Sequence, residues 1–171
     1  MQNSFSIRVR TTDDGTGSLT YEEVLTITVN DLNEAPTDIS ITSTSVDENQ
    51  ASGTVVGTLS TTDADAGDSH TYTLVAGAGD TDNASFQISG NQLQTNAIFD
   101  YETQNSFSIR LRTTDDGTGS LTYEKVFTIT VNDLNEAPTD ISITSTTVDE
   151  NQASGTVVGT LSTTDADAGD S

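Results

Sequence analysis

Short stretches in which apolar and polar residues alternate recur along the whole chain. In the first of them, residues 4–12, Phe5, Ile7 and Val9 alternate with polar residues, which is typical of a strand with one buried face. A glycine-containing turn follows at 13–17, and residues 20–29 form the second strand of a hairpin. The same reasoning predicts further strands at 39–46, 54–59, 71–75, 86–88, 92–95 and, as a second copy of the first hairpin, 106–131.

This pattern returns with a period of 102 residues. Residues 2–69 match residues 104–171 with only four differences, namely Val9/Leu111, Glu23/Lys125, Leu25/Phe127 and Ser45/Thr147. A period of this length indicates a repeated domain rather than the coil of a solenoid. We therefore predict three parts: the C-terminal part of one repeat over 1–35, a complete repeat over 36–137, and the N-terminal part of the next over 138–171.

Between two copies of an identical linker we count seven short strands and find no helix pattern, which indicates an all-β antiparallel sandwich. Its core is predicted from the apolar members of those strands. The predicted core residues are Ile41, Val56, Leu59, Tyr72, Leu74, Phe86, Ile88, Leu93, Phe107, Ile109, Leu111, Val126, Ile129 and Val131.

The identical linkers, residues 30–38 and 132–140, are named here the first joint and the second joint. Each holds one of the two prolines of the chain, which stiffen it in an extended conformation. Each is also rich in Asp, Asn and Glu and contains neither Lys nor Arg. Crowded oxygen groups of this kind are the ligands that calcium prefers, so the joints are predicted to hold a hard divalent cation.

Charge and composition narrow the function. With 5 basic and 27 acidic residues the net charge is −22, which excludes nucleic-acid binding because contact with phosphates needs a basic surface. There is no cysteine, so disulfides and thiolate metal sites are excluded as well. No run approaches the roughly 18 apolar residues that span a membrane. The regular alternation argues against a disordered acidic chain.

Five short motifs, in order along one repeat, resemble those of the cadherin repeat in its bacterial form. They are 46–49 (VDEN, the glutamate motif), 63–65 (DAD, the DxD loop), 99–102 (FDYE, the LDRE motif), 114–117 (TDDG) and 133–138 (DLNEAP, the DxNDNxP linker). The linker departs from the family in having Glu136 where Asp is usual and in being one residue shorter. The resemblance implies tandem Greek-key sandwiches, similar to cadherin and immunoglobulin domains, with calcium at each joint.

The resemblance also implies a ligand set for each joint. At the first joint, Asn33 and Glu34 would meet acids of the complete repeat, and at the second joint that repeat, the linker and the following part would all contribute. The implied calcium ligands are Asn33, Glu34, Asp63, Asp65 and Asp115 at the first joint, and Glu48, Asp100, Glu102, the Leu134 carbonyl, Asn135, Glu136, Asp165 and Asp167 at the second.

Some polar residues have simpler interpretations. Asp13, Asp14 and Asp116 precede glycine and are also expected in ordinary turns. His70 is the only histidine, and without a cysteine or a second histidine it is a poor transition-metal ligand, so we expect a loop residue. A catalytic acid pair and an ice-binding threonine array are less favoured, because the acids lie in polar loops and threonine is common on strand surfaces.

Two functions remain from the sequence. The first is a secreted, non-catalytic extender of a bacterial surface adhesin or fibre, stiffened by calcium and in contact with neighbouring repeats of the same fibre. The second is an adhesive module that itself makes homophilic or glycan contacts. We expect the chain to begin and end inside repeats, with Met1 in place of the counterpart Thr103. It would then be a window of a longer fibre, the alternative being head-to-tail pairing of neighbouring molecules.

Overall fold

The computed structural model describes residues 3–167, and its regular structure is almost entirely β-strand. A leading hairpin comes first, eight strands follow in the middle, and a trailing strand pair comes last. The strands are β1 (Ser4–Thr12), β2 (Thr20–Thr28), β3 (Asp38–Ile41), β4 (Ser45–Asp47), β5 (Val55–Thr62), β6 (His70–Leu74), β7 (Phe86–Ser89), β8 (Gln92–Thr95), β9 (Ser106–Asp115), β10 (Thr122–Asn132), β11 (Asp140–Ile143) and β12 (Leu161–Thr164). One 3-10 turn, Asn83–Ser85, precedes β7.

Strands β3–β10 form the central sandwich, which consists of two four-stranded sheets in the orders β4-β10-β9-β6 and β3-β5-β8-β7. The pairs are antiparallel except β4 with β10, which are parallel. The chain changes sheet on either side of β4, on either side of β6 and again between β8 and β9. The predicted all-β sandwich is therefore confirmed.

The first strand of the sandwich differs from the prediction, since 39–46 is split into β3 and β4. The first half pairs with β5 in one sheet and the second half with β10 in the other, so one strand covers an edge of each sheet. Gly57 makes the crossing possible, because a Cβ on it would lie 2.7 Å from Ile41 Cγ1 and 2.8 Å from the carbonyl oxygen of Ser43. A register shift between Val55 and Gly57 bends β5 at the same point.

The core lies between the two sheets of the central sandwich. Three phenylalanine rings, Phe86, Phe99 and Phe107, pack at centroid distances of 4.4 to 5.8 Å in its middle. Thirteen of the fourteen predicted core residues are buried or pack against the buried set: Ile41, Val56, Leu59, Tyr72, Leu74, Phe86, Ile88, Leu93, Phe107, Ile109, Leu111, Ile129 and Val131.

The prediction of Val126 in the core was wrong. Its side chain is 44% exposed, because Ile129 and Val131 point inward and a residue three positions before Ile129 lies on the opposite face of the strand. Val126 instead packs beneath Gly79 on the outer face. The prediction also left out three hydrophobic residues of the core cluster, Ile39, Val46 and Phe99.

The leading hairpin and the trailing pair form separate two-stranded sheets. Their apolar residues are counterparts of core residues but are exposed: Ile7 is 44% exposed and its counterpart Ile109 0%, and Leu161 is 67% exposed and its counterpart Leu59 2%. The same residues thus lie in two environments within one chain. The boundaries at 35/36 and 137/138 stay a prediction.

Candidate metal centres at the two joints

The second joint begins where β10 ends, beside the residue that follows β4. Because β4 runs parallel to β10, Glu48 arrives next to Asn132, whose carbonyl accepts from the Glu48 N–H at 3.1 Å. The Glu48 side chain is fully buried, and its carboxylate accepts from the backbone N–H groups of Tyr101 (2.8 Å) and Leu134 (2.7 Å). One buried charge therefore ties the 99–102 loop to the linker.

Two groups of carboxylates converge at this joint. Oxygens of Glu48, Asp100 and Glu102 all lie within 4.8 Å of one another, and so do oxygens of Glu102, Glu136 and Asp167. Glu102 belongs to both groups, so the two form one continuous cluster with contributions from the central sandwich, the linker and the part that follows it. Carboxylates at this spacing repel strongly unless a cation lies among them.

Basic side chains do not supply that cation. All five of them make ion pairs elsewhere: Arg8 and Arg10 pair with Glu22, Arg110 and Arg112 with Glu124, and Lys125 with Asp38. The two arginines on Glu124 lower the pKa of that carboxyl. The positive charge of the chain is thus held on strands: Lys125 pairs with the last residue of the first joint, and none of these ion pairs involves a member of the carboxylate groups of the two joints.

The donor set at the second joint fits a hard divalent ion. One oxygen of Glu136 accepts from the Asn49 side-chain amide at 2.5 Å, while the other is buried and finds no hydrogen-bond partner within residues 3–167. A backbone hydrogen bond lowers the pKa of Glu102. Burial and the nearby carboxylates of Glu48 and Glu136 together raise this pKa by more, so its net shift is upward. An unpartnered buried oxygen beside other carboxylates is what a bound cation would satisfy.

The first joint repeats part of this arrangement. Oxygens of Asp31, Glu34 and Asp65 lie within 4.8 Å of one another. The Glu34 N–H donates to Asp65 Oδ2 at 2.7 Å, as the Glu136 N–H donates to Asp167 Oδ2 at the same distance in the second joint. The Asp65 carboxylate, followed by burial and Asp31, raises the pKa of Glu34.

The loop that follows β9 meets the first joint through Asn33. Its side-chain amide donates to Asp115 Oδ2 and to the Thr118 carbonyl, both at 3.2 Å. Asp115 is buried, and its other oxygen accepts from the N–H groups of Gly117 (3.2 Å) and Leu121 (3.0 Å). A Cβ on Gly117 would lie 1.9 Å from Asn33 Oδ1, so glycine is required for this close approach.

Asp68 adds a further acid beside Asn33 and Gly117 that the sequence analysis did not select. Its Oδ2 is buried without a hydrogen-bond partner among the described residues, and burial, followed by the Asp116 carboxylate, raises its pKa. Asp116 itself accepts from the Ser69 N–H at 2.7 Å. This acid lies three positions after Asp65 and outside the five motifs that resemble the cadherin repeat, so the motifs did not select it.

His70 is not the loop residue that we expected. It begins β6, and its ring is largely buried, with Nε2 3.0 Å from Asp63 Oδ2. This contact lowers the pKa of Asp63, whose other oxygen accepts from the Asp65 N–H at 3.1 Å. Asp63 and His70 lie seven positions apart on either side of a loop, so strand alternation does not predict their contact.

Of the thirteen implied ligands, seven fall within the carboxylate groups just described: Glu34, Glu48, Asp65, Asp100, Glu102, Glu136 and Asp167. The other six lie beside them in hydrogen bonds. Leu134 contacts Glu48 through its N–H, Asn135 donates to the Glu136 carbonyl (3.1 Å), Asp165 accepts from the Asp167 N–H (3.2 Å), and Asn33, Asp63 and Asp115 are described above.

Asp31 was missed among the acids of the first joint. It is the counterpart of Asp133, which opens the linker motif 133–138, so the signal was present in the sequence. Asp13, by contrast, has a turn role, since its Oδ1 accepts from the N–H groups of Gly15 (3.3 Å) and Leu19 (3.0 Å).

Comparison with known proteins places these joints in context. A model of the cadherin domain matches residues 42–132. Protocadherin alpha-2 of Homo sapiens is 32% identical over 166 residues, 92% of this chain and 18% of that protein. Protocadherin Fat 2 of Mus musculus is 32% identical over 143 residues, 80% of this chain and 3% of that protein. The chain thus spans less than a fifth of the length of these curated relatives.

Solved structures show the same architecture. The structure described as protocadherin gamma B2 extracellular cadherin domains 1–5 superposes with a TM-score of 0.71 at 24% identity, over 98% of this chain and 33% of that one. The protocadherin gammaB7 EC3–6 cis-dimer structure gives 0.64 at 27% identity, over 98% of this chain and 41% of that one. Within residues 3–167, none of the helical structure is long and apolar enough to cross a membrane.

Proposed function

The chain belongs to the cadherin domain family, and on that premise we propose that it is a calcium-stiffened, non-catalytic extender repeat of a bacterial surface adhesin or extracellular fibre. Cadherin domains are extracellular adhesion modules that generally bind calcium at the linkers between them. The observation that carries the proposal is the joined carboxylate cluster at the second joint, with its unpartnered Glu136 oxygen.

Calcium suits this cluster better than a structural ion of another kind. The available groups are carboxylate, amide and carbonyl oxygens, and calcium takes six to eight oxygens with flexible geometry. Residues 48, 100 and 102 come from the central sandwich, 136 from the linker and 167 from the part that follows. An ion held by all three would restrict the bending of the joint and reduce the mutual repulsion of the acids.

An extender role is supported by the near-identity of the repeats. A uniform series of domains provides length, whereas specific recognition usually depends on exposed aromatic anchors, which the sequence pattern does not provide. We propose the repeat boundaries 1–35, 36–137 and 138–171 on the same grounds. The curated relatives are animal proteins, so the bacterial origin is part of the proposal and depends on the near-identical copies and the composition rich in Thr and Asp.

A homophilic adhesive module is the second candidate. It is favoured by the solved relative that is described as a cis-dimer. Glycan binding is the other form of this candidate, and tight binding of the chain to cells or glycans would support it over a pure extender.

The proposal is tested by melting and small-angle scattering in calcium and in chelator. Calcium at about 100 times its dissociation constant should stabilise the fold by about 2.7 kcal/mol, which corresponds to a rise in Tm of roughly 10 °C or more. Chelation should also let the joint bend, so small-angle scattering should show a wider range of end-to-end distances at temperatures at which the sandwich is still folded. Identical melting and scattering curves in the two conditions would contradict the proposal.

A further inference from the structure

Asn49 contacts one of the carboxylates of the second joint, although it carries no charge of its own. We infer that Asn49 is a positioning residue of this joint, which holds the Glu136 carboxylate so that its free oxygen faces the cation. The inference rests on the proposed function, since it concerns the calcium that the joint is proposed to bind. Asn49 was not among the implied ligands, and it acts through Glu136 rather than on the ion.

The contact gives the two oxygens of the Glu136 carboxylate different surroundings. Oε1 accepts from the Asn49 side-chain amide at 2.5 Å. Oε2 is buried and has no hydrogen-bond partner within residues 3–167. An N–H group that donates to a carboxylate makes a strong hydrogen bond, so it fixes the rotation of the whole group. The remaining oxygen is then held in one direction, and a buried oxygen without a partner is the one that a cation would satisfy.

The carboxylate that Asn49 holds lies among the acids of the candidate site. An oxygen of Glu136 is within 4.8 Å of oxygens of Glu102 and Asp167. A glutamate side chain has several torsions that rotate freely when it has no partner, and an ion that binds it must remove this freedom. Asn49 restricts the side chain before the ion arrives, so the ion loses less of its binding free energy to ordering the ligand.

The backbone of Asn49 is itself fixed to the central sandwich. Its φ is 59°, in the left-handed region, which asparagine and glycine adopt more readily than other residues. Its N–H donates to the Phe99 carbonyl at 2.9 Å, and the Phe99 ring is buried in the core. The side-chain amide therefore extends from a rigid position, which is what a residue that orients a ligand requires.

Two neighbouring residues thus align the linker at two points. Glu48 accepts from the Leu134 N–H at 2.7 Å, and Asn49 donates to the side chain of Glu136, two residues further along. The Glu136 N–H in turn donates to Asp167 Oδ2 at 2.7 Å. The central sandwich therefore holds the side chain of Glu136, and the part that follows the linker holds its backbone.

A neutral amide suits this place better than a charged group. The amide of Asn49 donates a hydrogen bond but leaves the full negative charge of Glu136 available to the ion. A lysine here would pair with the carboxylate and compete with the cation, and an aspartate would repel it. Asn49 is therefore expected to change the affinity of the joint for calcium without changing its charge.

Asn49→Gly tests the inference, because it removes the amide while glycine adopts the left-handed conformation without strain. Calcium binding at the second joint should weaken by about tenfold in calorimetric titration of the full chain, as is usual when a residue that orients a metal ligand is lost. The first joint is the internal reference. Asn151→Gly is the matched control, since Asn151 has a φ of 61° and is exposed, and it should leave the affinity unchanged.

A double-mutant cycle separates positioning from a purely structural role. If Asn49 acts through Glu136, Asn49→Gly should cause no further loss of calcium affinity in a Glu136→Ala chain, whereas independent effects would add. Additive losses, an unchanged affinity in Asn49→Gly with only a lower Tm in chelator, or an equal loss in Asn151→Gly would each overturn the inference. A parent chain that does not bind calcium would overturn the proposed function and this inference together, so the two failures are distinguishable.

Discussion

Glu102 shares its carboxylate between both acid groups of the second joint, so it is the residue whose loss should matter most there. Glu102→Gln is expected to weaken calcium binding by on the order of tenfold to a hundredfold, since both groups lose an oxygen charge. Titration calorimetry measures this. Asp14→Asn removes a carboxylate from an exposed turn and is the matched control, expected to leave the affinity unchanged; equal losses in the two variants would contradict the assignment.

Gly117 allows a second single-residue test. In Gly117→Ala the new methyl group would collide with Asn33 Oδ1, so the Asn33–Asp115 hydrogen bond must break or the loop must move. We expect a loss of about 1 kcal/mol in the free energy of unfolding, measured by denaturant titration. Gly15→Ala is the control at the counterpart position, where the nearest atom would be 3.7 Å away, and it should be neutral.

Single residues also show where sequence reasoning stopped. Alternation predicted the other inward residues of β9 and β10 correctly. Val126 was placed in the core because it is apolar, although alternation puts it on the outer face. Phe99 lies in a loop without periodicity, so its burial against Phe86 and Phe107 could not be inferred from pattern. The contact of His70 with Asp63 depends on how a loop folds back, which strand periodicity does not describe.

At the scale of elements, the leading hairpin and β9–β10 have nearly the same sequence in two environments. Ile109 is fully buried, and Ile109→Ala should cost about 2 to 5 kcal/mol of unfolding free energy through lost burial and a cavity. Ile7→Ala makes the same change in the leading hairpin, where the side chain is 44% exposed, and should cost well under 1 kcal/mol in dilute solution. Equal costs would show that the hairpin folds as part of the same core.

The strands themselves were largely predictable, and their pairing was less so. Alternation and turn residues located every strand of the central sandwich, because the inner face is apolar and the outer face is polar. The division of the first strand at residues 42–44 could not be seen, since both halves alternate in the same way. The close approach of Gly57 to Ile41 and Ser43 depends on how the strands fold together, so the strand pattern does not show it.

At the scale of the whole molecule, crowded acids make stability depend on pH in opposite ways with and without calcium. The pKa values of Glu34, Asp68 and Glu102 are raised, so in chelator the folded state binds protons more tightly than the unfolded state. Stability should then rise as the pH falls from about 7 toward about 5, and it is lost as the pH rises through the raised pKa values.

With calcium bound the trend should reverse, because protons compete with the ion for the same carboxylates. The Tm in calcium and the Tm in chelator should therefore converge in mild acid, as measured by melting at a series of pH values. Below the usual carboxyl range both should fall, since Asp38, Asp63 and Glu124 have lowered pKa values and lose their partners when protonated. Parallel curves would contradict this account.

The acid clusters were the most predictable feature of the candidate site, because their members all offer carboxylate oxygens although they lie far apart in the sequence. Asp100, Glu102, Glu136 and Asp167 were selected in this way and meet at the second joint. The burial of Glu48 was not foreseen, since a charged side chain is rarely placed fully inside; it is tolerated because two backbone N–H groups bind it.

The near-identity of the two strand pairs β3–β5 and β11–β12 has a consequence for refolding kinetics. Both can compete for the β9–β10 face, and β11 begins only eight residues after β10 ends, from Asn132 to Asp140. A short connection closes with less loss of chain entropy than the long one from β3, so the wrong pair is expected to arrive first. Molecules trapped in this way must exchange one strand pair for the other before they reach the native fold. Near-identical repeats are therefore expected to give slow refolding phases and domain-swapped molecules.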